Sequence, residues 1–128
     1  IAGQKEVRIE PENDLGNLCF FGDYGRLRQM FVIILDNAVK FAPPGSAVSV
    51  KMHREGGGPA VSISDCGSGI LPEDIPYIFD RFYMGRPGQN KGGTGLGLSI
   101  AKQIAGRHGI RIACGSNACD YTTFTFFL

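Results

Sequence analysis

Two glycine clusters, Asp65-Cys66-Gly67-Ser68-Gly69 and Gly92-Gly93-Thr94-Gly95-Leu96-Gly97-Leu98-Ser99, bracket an aromatic segment in the second half of the chain. Glycine weakens helices and strands by roughly 0.5–1 kcal/mol per residue, so such runs belong where the backbone turns sharply or lies against something with no side chain between. Nineteen glycines in 128 residues, gathered at element boundaries, therefore imply short elements and backbone open to a ligand. Phosphate is the ligand chemistry that exposed backbone N–H groups suit best.

Length and charge narrow the classes. A chain of 128 residues reads as one domain, 1–128, able to bury roughly 65–70% of its unfolded surface. Hydrophobic content of 43%, charged content of 20% and a net charge of +1 fit a globular domain and give no field suited to nucleic acid. No apolar run approaches the ~18 residues of a membrane span, and Ile1 to Glu6 lacks a signal-peptide core. The expectation is a cytoplasmic piece with no direct membrane contact, cut from a longer parent that a membrane can anchor. Cys19, Cys66, Cys114 and Cys119 form no CxxC pair and have no histidine at zinc-like spacing, so they read as structural thiols.

Val7–Glu10 and Leu18–Phe21 read as short strands separated by a Pro-Glu-Asn-Asp turn, and Asp23 as the cap of a helix from Tyr24. Leu27, Phe31, Ile34, Ala38 and Phe41 give that helix one apolar face, and Pro43-Pro44-Gly45 stops it. Ala47–Met52 and Ala60–Ser64 alternate with period two and form a hairpin. Pro72-Glu73-Asp74 opens a short helix running into Ile78–Tyr83, and Met84 to Thr94 has the composition of a mobile loop. Helix resumes at Leu96 and ends where His108-Gly109 resembles a C-cap; Ile110–Cys114 and Tyr121–Phe127 form a closing strand pair. Hairpins interleaved with helices indicate an α+β fold, a mixed sheet with helices on one face.

On the long helix Ile33, Asn37 and Lys40 fall within about 60° of one another, beside the apolar face. A carboxamide oxygen can ligate Mg²⁺ and a lysine can meet phosphate; a solvated flank is the alternative. Asp65 ends a buried strand, where a carboxylate needs donors, and the exocyclic amine of a base is one.

The ordered set Leu27-x-Gln29-x5-Leu35-Asp36-Asn37-Ala38-x-Lys40-Phe41, Asp65-x-Gly67-x-Gly69-Ile70, Ile78-Phe79-x-Arg81-Phe82-Tyr83 and Gly93-Thr94-Gly95-Leu96-Gly97-Leu98 resembles the N, G1, F and G2 boxes of the catalytic, ATP-binding domain of sensor histidine kinases. The resemblance runs from about residue 5 to the C-terminus. Four boxes in order are specific, where a lone glycine triplet would not be. The P-loop and HRD patterns of other kinases are absent.

The resemblance implies a Bergerat-type two-layer α/β sandwich and a histidine protein kinase domain. Such a domain binds Mg·ATP and donates the γ-phosphoryl group to a histidine on a separate phosphoacceptor and dimerisation domain of the same parent, upstream of a response regulator. It implies that Asn37 binds Mg²⁺, Lys40 meets phosphate, and Asp65 accepts from the adenine amine. Gly67, Gly69 and Ile70 would let the base approach. Phe79 and Phe82 would anchor a lid hinged at Gly93, Gly95 and Gly97, while Thr94, Leu96 and Leu98 lie along the phosphate-binding start of the last helix. Arg81, Arg86 and Lys91 are candidates for the phosphate chain or plain solvated charges.

The chain departs from the family pattern in three places. Ile33 stands where the family has a first asparagine, Met84 where an arginine is frequent, and Tyr121 where a glycine often precedes the last strand. Ile33 also occupies the place of the glutamate base that gyrase-, chaperone- and mismatch-repair-type ATPases need, and a hydrocarbon cannot activate water. His53 and His108 lack the setting of a phosphoacceptor and read as structural. Two alternatives stay open: a serine kinase of the anti-sigma type, and a degenerate nucleotide-sensing module without transfer activity.

Overall fold

The computed structural model describes residues 7–16, 19–67, 73, 75–80, 97–117 and 121–128. Strands β1 (Arg8–Asn13), β2 (Ala47–Glu55), β3 (Gly58–Asp65), β4 (Arg111–Asn117) and β5 (Tyr121–Phe127) form one sheet in the order β1-β2-β3-β5-β4. Its core face carries helices α1 (Tyr24–Phe41) and α2 (Gly97–Arg107). β1 joins β2 in parallel and every other neighbour is antiparallel. This is the two-layer α+β sandwich that the alternation and the resemblance both led to.

The core follows from period-two burial. Val48 on β2, Ile63 on β3, and Phe124 and Phe126 on β5 are at most 2% exposed. Against them α1 sets Met30, Ile34 and Ala38, one helical turn apart and at most 1% exposed. The buried stripe is thus rotated from the one expected, because Leu27 and Phe31 only lean on the core from its margin, with the Phe31 ring 4.9 Å from that of Phe126. α1 begins as expected at Asp23, whose carboxylate accepts from the Arg26 N–H at 3.1 Å.

α2 ends in a Schellman motif: the Ile110 N–H reaches the Ala105 carbonyl at 2.9 Å and the Gly109 N–H reaches Gly106 at 3.3 Å. Gly109 holds φ at 68°, a conformation that favours glycine, so the expected C-cap is present.

Three local expectations fail. Pro11–Asn13 of the turn expected at Pro11–Asp14 are instead the second half of β1, since an edge strand with one neighbour tolerates a proline that donates no N–H. Cys19–Phe21 are not a strand, because β1 and β3 already occupy both sides of β2; Leu18 lies outside the described residues. The short helix before Ile78 is only a 3₁₀ turn, Ile75–Tyr77, as Pro76 cannot supply the N–H that a longer helix requires. Its continuation through Tyr83 and the loop Met84–Thr94 lie outside the described residues.

Candidate functional site

Helix α1 brings Asn37 and Lys40 half-buried onto the flank that also carries Ile33. That flank faces the start of α2. The Ile33 Cγ2 lies 3.3 Å from where a Cβ on Gly97 would sit, so a side chain at the first residue of α2 would crowd it. Ile33 thus lies at the seam between the two helices, with Asn37 and Lys40 one and two turns further along the same side of α1. Leu98, next along α2, packs on the core edge.

At the end of β3, Asp65 is 4% exposed, buried beyond what an unpartnered carboxylate tolerates. Its Oδ1 accepts from the Gly67 N–H at 2.8 Å, an Asx turn that bends the chain out of the sheet at the first glycine of the cluster. Asp65 faces the helices because β3 alternates: Val61, Ile63 and Asp65 share one side. Cys114 on β4 senses the same environment, its thiol pushed up to about 12 by burial and then by the Asp65 carboxylate.

Phe79, half-buried just after the 3₁₀ turn, is held from two sides. Its ring meets Phe124 edge-on with centroids 6.1 Å apart, and the Lys102 ammonium of α2 stands 5.4 Å from its centroid. Gly69, Ile70, Arg81, Phe82, Gly93, Thr94, Gly95 and Leu96 lie outside the described residues, as do Arg86, Lys91 and Met84.

Three contacts escaped sequence reasoning. Lys102 over Phe79 had no local signal, since its partner is set by how α2 packs. His108, expected to be structural, is a bridge: Nε2 accepts from the Asp23 N–H at 3.1 Å while Nδ1 donates to the Ile104 carbonyl at 2.9 Å. This pair of partners selects the neutral Nδ1–H tautomer. Gly22 lies under that ring, where a Cβ would come within 2.6 Å of His108 Cδ2, so close approach explains the glycine beside the cap. His53 is equally occupied, its Nε2 2.7 Å from Ser62 Oγ. Cys19 and Cys66 are exposed and therefore do not pack the interior as structural thiols would; Cys119 lies outside the described residues.

Residues 22–128 match the family described as histidine kinase-, DNA gyrase B- and HSP90-like ATPases. The chain belongs to this family. Sensor histidine kinase YkoH of Bacillus subtilis (strain 168) is 38% identical over 124 residues, which cover 95% of this chain and 26% of the relative. This family domain thus spans about a quarter of that relative's length. The solved mycobacterial sensor histidine kinase MprB superposes with a TM-score of 0.88 at 27% identity, covering 99% of this chain and 86% of that one. Full-length ShkA in complex with AMPPNP superposes at 0.81 with 28% identity, covering 98% of this chain and 26% of that one. Among the described residues no helix is long and apolar enough to cross a membrane.

Proposed function

We propose that this domain binds Mg·ATP and donates the γ-phosphoryl group to a histidine on phosphoacceptor and dimerisation helices of a longer parent, in the cytoplasm and upstream of a response regulator. The observation that carries this reading is the nearness of Ile33 to Gly97, where a Cβ would come within 3.3 Å of Ile33 Cγ2. It sets the Asn37 and Lys40 flank beside the start of α2, and the positive end of a helix favours phosphate. It also sets a hydrocarbon where a hydrolytic relative needs a base, which favours transfer to a partner over attack by water.

In this reading Asp65 accepts from the adenine amine, with Gly67, Gly69 and Ile70 beside the base. Asn37 binds Mg²⁺, and Lys40 meets the phosphates. Phe79 and Phe82 anchor the lid whose hinge is Gly93, Gly95 and Gly97; Thr94, Leu96, Leu98 and Arg81 line the phosphate path. The donor set fits the metal: Mg²⁺ keeps several waters and takes one or two protein ligands plus phosphate oxygens, so a single carboxamide suffices. Bound Mg²⁺ would neutralise phosphate charge, and the protein contributes positioning. The ShkA complex with AMPPNP supports a nucleotide in this fold.

The test is γ-labelled ATP with and without the parent's acceptor helices. Label should move to the helices and should not appear on this chain alone. Rapid phosphate release by the chain alone would sink the reading in favour of a hydrolytic ATPase. Tight ATP binding with no transfer would make it the degenerate nucleotide-sensing module that Ile33 and Met84 leave open.

A further inference from the structure

Helices α1 and α2 run antiparallel and meet at two close points, Gly22 with His108 and Ile33 with Gly97. The points are eleven residues apart along each chain segment, about 16 Å of helix. At the first, His108 bonds the Asp23 backbone and leaves no room for a Cβ on Gly22, which clamps the end of α2 to the start of α1. At the second a methyl group faces a glycine backbone. Ile33 is β-branched, so in a helix its χ1 has one strongly preferred setting and Cγ2 is a stiff stop. With one end clamped, the height of that stop decides how near the first turn of α2 comes to Asn37 and Lys40, which share the flank one and two turns further on.

We propose that Ile33 is a positioning residue for the nucleotide's phosphate chain. It touches no ligand; it sets the standoff between the Asn37–Lys40 flank and the start of α2, and Gly97 is the surface it bears on. A short side chain at position 33 would let α2 settle inward, and a Cβ at position 97 would push it out. Both changes misplace the same backbone N–H groups, and together they cancel. The inference rests on the reading that the start of α2 faces phosphates.

The experiment is a double-mutant cycle of Ile33→Ala and Gly97→Ala on the 128-residue chain, with Ile33→Val as the conservative variant. Calorimetry with Mg·ATP and with adenosine, which has no phosphates, supplies the readout, beside the melting temperature. Each single alanine should weaken ATP roughly tenfold and leave adenosine within about twofold, while the double variant recovers most of the loss. Ile33→Val keeps Cγ2 and should bind ATP within about twofold of wild type. Losses that multiply in the double variant, or that fall equally on adenosine, would overturn the proposal, as would coupling in melting temperature without coupling in ATP affinity. Should Gly97→Ala not fold, equal ATP affinity of Ile33→Val and Ile33→Ala overturns it alone. A wild-type chain that binds ATP no more tightly than adenosine removes the phosphate reading itself, an outcome read without any variant.

Discussion

The two faces of β3 carry polar groups at very different cost. On the open face Ser62 and Ser64 are half-exposed and satisfied across the sheet, Ser64 by Thr123 at 2.8 Å and Ser62 by Thr125 at 3.2 Å and His53 at 2.7 Å. On the covered face the step Val61, Ile63, Asp65 ends in a carboxylate at 4% exposure, where the pattern calls for a third hydrophobe. Hydroxyls beside water lose little on folding, whereas a charge taken into the core costs several kcal/mol unless donors surround it. The same polar alternation therefore marks strand pairing on one face and, on the other, a buried carboxylate that holds the Gly67 turn.

The largest effect should come from breaking the covered face where it is purely apolar. Phe124, 1% exposed, meets Phe79 and lies beside Ile63 across the β3–β5 register. Phe124→Ala should cost about 3–5 kcal/mol of stability in urea unfolding. A loss below about 1 kcal/mol would mean that this face is not the core.

Cys114 sharpens the comparison from the next strand but one. With its thiol pushed up to about 12 from 9.0, Cys114 should alkylate at pH 8 on the order of a thousandfold more slowly in the folded protein than in the urea-unfolded chain, by thiolate fraction alone. Mass spectrometry of iodoacetamide-treated protein decides it. The sign for stability follows: the folded state holds the proton longer than the unfolded state, so this contribution is intact below pH 9 and is lost as pH climbs toward 12. Cys114→Ala should flatten the fall in urea midpoint over that window, and an unchanged slope would remove the buried thiol as its cause.

How much of this was legible before the structure depends on the range of each interaction. β2, β3 and β5 alternate visibly, Asp23 and Gly109 announce the ends of their helices by local hydrogen bonding, and Asp65 stands out by chemistry within its own strand. Pro11 misled because its meaning depends on being at a sheet edge, and Phe20 and Phe21 misled because β propensity does not say whether a strand position is vacant. The contacts Ile33 with Gly97 and Gly22 with His108 were invisible for the same reason. They are set by the register of one helix on another, which no spacing within either helix encodes. The sequence therefore offered a set of candidate residues to test, while the seam between α1 and α2 was outside its reach.

Asp65→Ala tests the covered face at its polar end. ATP affinity should fall by about 1–3 kcal/mol, roughly 5- to 150-fold, since a stranded adenine amine loses its acceptor. The melting temperature should fall modestly, because the Gly67 N–H loses its acceptor while the cost of the buried carboxylate goes with the side chain. Unchanged affinity with a large loss of stability would recast Asp65 as the strap of the Gly67 turn and nothing more.

The smallest effect is expected on the open face. Ser62→Ala removes the hydroxyl that links His53 and Thr125, yet all three side chains are half-exposed and water can replace each bond. The loss should stay within about 1 kcal/mol, and nucleotide affinity should not move, because the hydroxyl lies on the side of the sheet away from Asp65. Ser62→Val should recover part of that loss, as a β-branched side chain suits a half-buried strand position. A cost above about 2 kcal/mol for Ser62→Ala, not recovered by valine, would mean that the hydrogen-bonded row is shielded from water as Asp65 is. The contrast between the faces of β3 would then fail, and the hydroxyl row would have to be read as a buried network in its own right.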